Sequence, residues 1–163
     1  NYPRPTLAQM RLQQFSNMVY GAVAFQYFTG WGYIQNGNIV KDVYDIVKQV
    51  NSELKSMEKI FLGANIKGVW HTGETIPSGT KKLSTLPAGV VKLQTSASGA
   101  IVSSFTNNGK NYMAVVNKDC EGSMALSVGF KVENAVTIAK DGTQTPVQEN
   151  YQVPAGDILI FCW

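Results

Sequence analysis

The sequence predicts an α+β chain in which a short helix–strand–helix unit precedes an antiparallel β-sandwich. Ala22-Val23-Ala24-Phe25-Gln26-Tyr27-Phe28 is a nearly unbroken apolar run, the pattern of a strand buried on both faces as in parallel sheets. Val43, Val47, Val50, Leu54, Met57 and Phe61 then recur at helical spacing. Beyond Ile66 the period falls to about two, with Gly, Pro, Asn and Asp at intervals, the mark of short strands and tight turns. The expected parts are a helix–strand–helix unit at 1–62 and a sandwich at 67–163.

Thr6 followed by Gln9 has capping-box spacing, and Pro5 suits entry into a helix beginning near Leu7. On that helix Leu12, Phe15, Met18, Val19 and Ala22 share one arc, with Gln9, Gln13, Ser16, Asn17 and Tyr20 largely outside it. Arg11 intrudes on the apolar arc, so its stem is expected to pack while its head meets a carboxylate or carbonyl. The apolar strand stops at Thr29-Gly30-Trp31. No companion run of the same kind is evident downstream, so the segment reads as the tail of something larger. In the second helix Lys41, Lys48 and Lys55 fall opposite the apolar face as a solvated stripe, and Gly63 marks the end. Strands are expected at Gly68 to His71, Val90 to Thr95, Ala100 to Phe105, Tyr112 to Asn117, Ser123 to Phe130, Ala135 to Lys140 and Asp157 to Trp163. Asn107-Asn108-Gly109 and Asp141-Gly142 signal hairpins, since Asn or Asp before Gly tolerates the positive φ of primed turns.

Composition excludes several classes. An apolar fraction of 44% with 15% charged residues suits a folded core and argues against disorder. The net charge is +3, with Lys81-Lys82 the sole adjacent basic pair, so the clustered footprint of a nucleic-acid binder is missing. No apolar run approaches the roughly 20 residues needed to cross a bilayer. The chain begins at Asn1 rather than methionine, which suggests a processed or truncated start. Localisation stays open, with an extracytoplasmic place, periplasmic or secreted, favoured. Cys120 and Cys162 are equally open to pairing or to remaining free thiols.

Several residue sets together resemble a known family. Met10-Arg11-Leu12-Gln13, Tyr20-Gly21-Ala22 and Gln26-Tyr27-Phe28-Thr29-Gly30-Trp31 resemble the last helix–strand unit of the (β/α)8 barrel in β-galactosidase-like glycoside hydrolases. Val43-Tyr44-Asp45-Ile46-Val47 and Val50-Asn51-Ser52-Glu53-Leu54-Lys55 look like the barrel's closing helix, and Gly68-Val69-Trp70-His71-Thr72-Gly73 like the connector. Gly109 to Asp119 and Val153 to Phe161 are similar to strands of the accessory β-sandwich that closes such chains. The resemblance implies a barrel remnant at 1–62 and an accessory domain at 67–163.

It also implies where catalysis lies. Such enzymes flank the glycosidic bond with two carboxylates at the carboxyl ends of different barrel strands. In the barrel-like portion the only carboxylates are Asp42, Asp45, Glu53 and Glu58, all within or near the second helix. The expectation is therefore a non-catalytic carboxyl-terminal portion of a glycoside hydrolase acting on plant- or host-type oligosaccharides. It would brace the barrel and border the sugar cleft, with the upstream barrel segment or a second copy as partner. Trp31, just past the strand's carboxyl end, is the foremost candidate to stack on a sugar, followed by Tyr33 and Gln26. A tryptophan packing under the closing loop is the structural alternative. An alternative function is a free-standing carbohydrate-binding module presenting Trp70, Tyr112 and Tyr151; a third is a structural interaction domain.

No cofactor or metal is expected. His71 is the only histidine, too few for the usual zinc sets and the single possible base of a Ser-His-Asp triad. Asp119 and Glu121 do not follow a calcium-ligand spacing, and a solvated turn is the simpler reading. Gly30-Trp31-Gly32 lacks the third glycine and following helix of a phosphate loop.

Overall fold

A computed structural model of the chain describes residues 3–27, 34–39, 41–96 and 98–163. Thr6 begins the first helix, α1 (Leu7–Val19), as its spacing to Gln9 predicts. Its Oγ1 accepts the Gln9 N–H at 3.2 Å, and its own N–H donates to Gln9 Oε1 at 2.9 Å. These bonds satisfy donors that a helix start leaves bare. At the far end Gly21 takes a φ of 97°, and the Gly21 and Ala22 N–H groups donate to Met18 O and Asn17 O. Phe15, Met18 and Val19 are buried as the wheel requires, Leu12 and Ala22 are only partly buried, and Met10, outside the expected arc, is buried against the second helix instead.

The apolar run beyond this turn does not form the expected strand. Residues 22–27 follow an irregular path, and Phe28 lies outside the described residues. A strand must pair its backbone groups, and every described strand is paired elsewhere. Phe25 packs against the helices, whereas Val23 remains 73% exposed. A short hairpin not expected from the sequence follows, β1 (Ile34–Gln35) with β2 (Asn38–Ile39), turning on Asn36-Gly37.

The second helix, α2 (Lys41–Phe61), buries Val43, Val47, Val50, Met57 and Phe61 and leaves Lys48 and Lys55 exposed. Met10 clusters with Val43, Val47 and Val50, while Phe15, Met18 and Val19 cluster with Met57 and Phe61. The two helices therefore run in the same direction.

The remaining strands are β3 (Asn65–His71), β4 (Val90–Thr95), β5 (Ala100–Asn107), β6 (Lys110–Asn117), β7 (Met124–Phe130), β8 (Val136–Ile138), β9 (Gln144–Pro146), β10 (Asn150–Val153) and β11 (Ile158–Cys162). They form a six-stranded sheet in the order β3-β5-β6-β11-β8-β9 and a three-stranded sheet in the order β10-β7-β4. The ladders are antiparallel throughout. Asn108 and Gly109, with φ of 47° and 76°, make the expected turn between β5 and β6. The edge strand β9 is wholly exposed and carries Pro146, which gives it no buried face to leave a sequence pattern.

The large sheet is covered on both faces. One side packs Ile101, Phe105, Tyr112, Ala114, Val116 and Ile160 against Phe15, Met18, Met57 and Phe61 of the helices. The other packs Val102, Met113, Val115 and Phe161 against Val90, Met124, Leu126 and Val128 of the small sheet. The molecule is thus a three-layer α+β fold, helices on a β-sandwich. Burial on both faces explains the continuous apolar runs Met113 to Val116 and Ile158 to Phe161. These are the companions that Ala22 to Phe28 was expected to lack, and they stand in the centre of an antiparallel sheet. Fully burying a side chain such as Phe105 or Phe161 contributes about 1.5–3 kcal/mol. Cys120 and Cys162 are both free thiols.

Two buried asparagines tie loops to this core. Asn107 Nδ2 donates to Lys59 O, Ile60 O and Leu62 O, closing the carbonyl end of α2 onto β5. Asn117, 0% exposed, donates to Gly122 O, Val153 O and Pro154 O and accepts the Asp119 N–H at 2.9 Å. Asn117→Ala would leave those carbonyls without their donor, so urea unfolding should show a loss of about 1–3 kcal/mol. An unchanged midpoint would mean that water replaces the amide without cost.

Candidate functional site

Arg11 meets its expected carboxylate, and a second one. Its Nε donates to Glu53 Oε2 at 3.0 Å and its Nη2 to Glu53 Oε1, a fork on α2. Its Nη1 lies 3.4 Å from Asp157 Oδ2, just before β11. Asp157 also accepts both of its bonds from Lys140 at 2.6 Å and takes the Ile158 N–H at 2.8 Å. Burial opposes charge on Arg11, but the hydrogen bond to Glu53 and the fields of Asp157 and Glu53 outweigh it and raise its pKa. Burial likewise pushes Glu53 up. The hydrogen bond from Arg11, the fields of Lys140 and Arg11 and a bond from Gln49 reverse this and hold the carboxyl below its usual range. The cluster is saturated with internal partners, so its carboxylates are engaged in holding the layers together.

An open groove lies on the helical layer, where the end of α1, the segment after it and the end of α2 meet. Met18, Ala22, Val23, Phe25, Leu54, Glu58, Phe61 and Leu62 line a volume of about 70 Å³. That is well below the roughly 300–1,000 Å³ of an ordinary small-molecule site. Its lips are apolar and wet, Val23 at 73% and Leu62 at 61% exposure. The one carboxylate on it, Glu58, is 2.7 Å from Lys55 Nζ. This surface suits packing against another apolar surface better than it suits bond cleavage.

The sequence-predicted sugar contacts fall as follows. Trp31 and Tyr33 lie outside the described residues. Gln26 is exposed and is not among the groove's lining residues. Of the alternative aromatics, Tyr112 is buried under the helices, stacked on Phe105 with ring centres 5.2 Å apart. Tyr151 packs against the opposite core, its hydroxyl 2.6 Å from Thr137 Oγ1 and accepting the Gln148 N–H. Trp70 is partly buried, with its ring lying over Gly68 so closely that a Cβ there would collide with it. These three share no platform. Among the described residues no group of His, Cys, Asp and Glu is placed to hold a metal, and no helix is long and apolar enough to cross a membrane.

A polar contact that sequence reasoning missed joins the end of α1 to the edge of the sheet. Tyr20 Oη lies 2.8 Å from His71 Nε2, and His71 is 3% exposed. Its only sequence signal was the singularity of the histidine. Comparison with known proteins adds no relative: no family model, no curated protein and no solved structure matches the chain.

The charge cluster makes a pH prediction. Glu53 has its folded pKa below the unfolded value, so its contribution to stability is present above about pH 4.5 and is lost as pH falls through the folded value. Replacing Arg11 by Met strands a partly buried carboxylate. Urea titration at pH 7 should show a loss of about 3 kcal/mol, with part of it recovered in the Arg11→Met/Glu53→Met double variant. Simple addition of the two single losses would mean the pair is not coupled.

Proposed function

We propose that this chain is the non-catalytic carboxyl-terminal portion of a β-galactosidase-like glycoside hydrolase acting on plant- or host-type oligosaccharides. The sandwich braces a barrel whose last two helices are α1 and α2, and the segment from Ala22 to Trp31 borders the sugar cleft. The observation that carries this reading is the groove on the helical layer. The helices are already covered by the large sheet on one side, yet Val23, Phe25 and Leu62 offer a further apolar surface to something else. A barrel's inner strands are such a surface. Of the four carboxylates in the barrel-like portion, Glu53 is committed to Arg11, which agrees with a bracing role.

The coding sequence upstream of Asn1 tests this reading most cheaply. It should encode several further strand–helix units with Glu or Asp at strand ends, and an immediate start codon overturns it. The purified chain alone should release no chromophore from nitrophenyl galactosides, xylosides or arabinosides. Calorimetric titration with the parent sugars at millimolar concentration should give no saturable heat. Saturable heat would favour the binding-module alternative instead.

A further inference from the structure

We propose that His71 and Tyr20 form an acid-sensitive latch that holds the end of α1, and the apolar segment after it, against the edge of the large sheet. The joint is built from few parts. His71 is fixed by its backbone, its N–H donating to Lys81 O at 2.7 Å and its carbonyl accepting the Leu83 N–H at 2.9 Å. The backbone that carries the ring is thus held in the edge pairing, and the residue is 3% exposed. Tyr20 is the movable half: it is the C-cap residue of α1 and 50% exposed, and residues 22–27 after it make no strand pairing.

His71 Nδ1 is buried and has no hydrogen-bond partner. A neutral ring tolerates this with Nε2 bonded to Tyr20 in either tautomer. A protonated ring does not, because a second N–H then carries charge in a site closed to water. The groups facing the ring are Tyr20 from α1, Lys118 just after β6, and Lys81 and Lys82, which lie against it through backbone pairing. Lys118 is a further cation, its ammonium tied to Thr72 O and Thr75 O at 2.7 and 3.2 Å. Burial first, and the Lys118 field second, hold His71 below its ordinary pKa of 6.5. The neutral ring's stability is complete above pH 6.5 and is lost as pH falls through the folded value. In the proposed latch Tyr20 moves outward together with the turn that follows it, Gly21 to Val23, and water then reaches the ring. Since Ala22 and Val23 line the groove, acid would reshape that surface.

Hydrogen exchange across residues 17–25, corrected for intrinsic rates, tests the latch on the full chain between pH 7.5 and 5.5. Protection should fall as pH drops through the histidine range, by roughly tenfold for each unit separating the open and closed pKa values. His71→Gln keeps a group near Nε2 for Tyr20 but cannot charge, so its protection should be flat over the same range. Tyr20→Phe should exchange quickly at pH 7.5 already. Glu53 and the other carboxylates remain in all variants, and any loss they cause would appear in His71→Gln as well. Equal pH dependence in the wild type and His71→Gln overturns the proposal. So does an NMR titration in which His71 takes its proton above pH 6.5.

Discussion

The carboxylate of Asp157 is the point at which the layers of this fold are pinned together. It sits in the turn between β10 and β11, 7% exposed, and receives Lys140, Arg11 and the Ile158 N–H. Arg11 carries the connection on to Glu53, so one chain of charges runs from the sandwich through α1 to α2. A buried charge without partners costs several kcal/mol, which makes each member dependent on the others. Backbone geometry enforces the same spacing. Gly156, at a φ of 65°, lies against the Ala8 carbonyl so closely that a Cβ there would clash with it, and its N–H donates to Asp119 O at 2.7 Å. The first turn of α1 thus rests directly on the turn that presents Asp157. Asn117 holds that turn from below through Val153 O and Pro154 O.

Much of this was legible in the sequence, and the misses have physical causes. Thr6 with Gln9, the apolar period of α2, Gly63 and the Asn108-Gly109 turn each carry local information, and local structure followed. Arg11 on an apolar arc announced a packed stem with its head on a carboxylate or carbonyl, although nothing could name Asp157, 146 positions away, as one of its partners. The apolar run from Ala22 to Tyr27 misled because hydrophobicity alone secures neither burial nor a strand: none of its residues is fully buried, and Val23 is 73% exposed. The same signal in Met113 to Val116 and Ile158 to Phe161 belongs to the central strands of an antiparallel sheet with a layer on each side. Strand β9 is hard to see for the opposite reason, since Gln144, Thr145 and Pro146 are all exposed and leave no apolar alternation, while β10 does alternate over Asn150-Tyr151-Gln152-Val153 but for only four residues.

The site was less legible than the fold. The candidacy of Trp31 rests on its place just past an expected strand, and Gln26, within that expected strand, belongs to an irregular segment instead. What the structure adds is a surface rather than a catalytic constellation. The groove between Met18, Phe25, Leu54 and Leu62 combines residues distant in sequence, one of them just past a helix end where periodicity stops carrying meaning. Arg11, Glu53 and Asp157 beside the helices are occupied in holding the layers.

The central claim is that helices and sandwich are one cooperative body joined through Asp157. Native-state hydrogen exchange at pH 7, read residue by residue under increasing denaturant, tests it directly. Amides in α1, α2, β6 and β11 should converge on a single opening free energy, and Asp157→Asn should lower all of them together. Helical amides that open at a distinctly lower free energy than β6 and β11, with a value untouched by Asp157→Asn, would contradict the account.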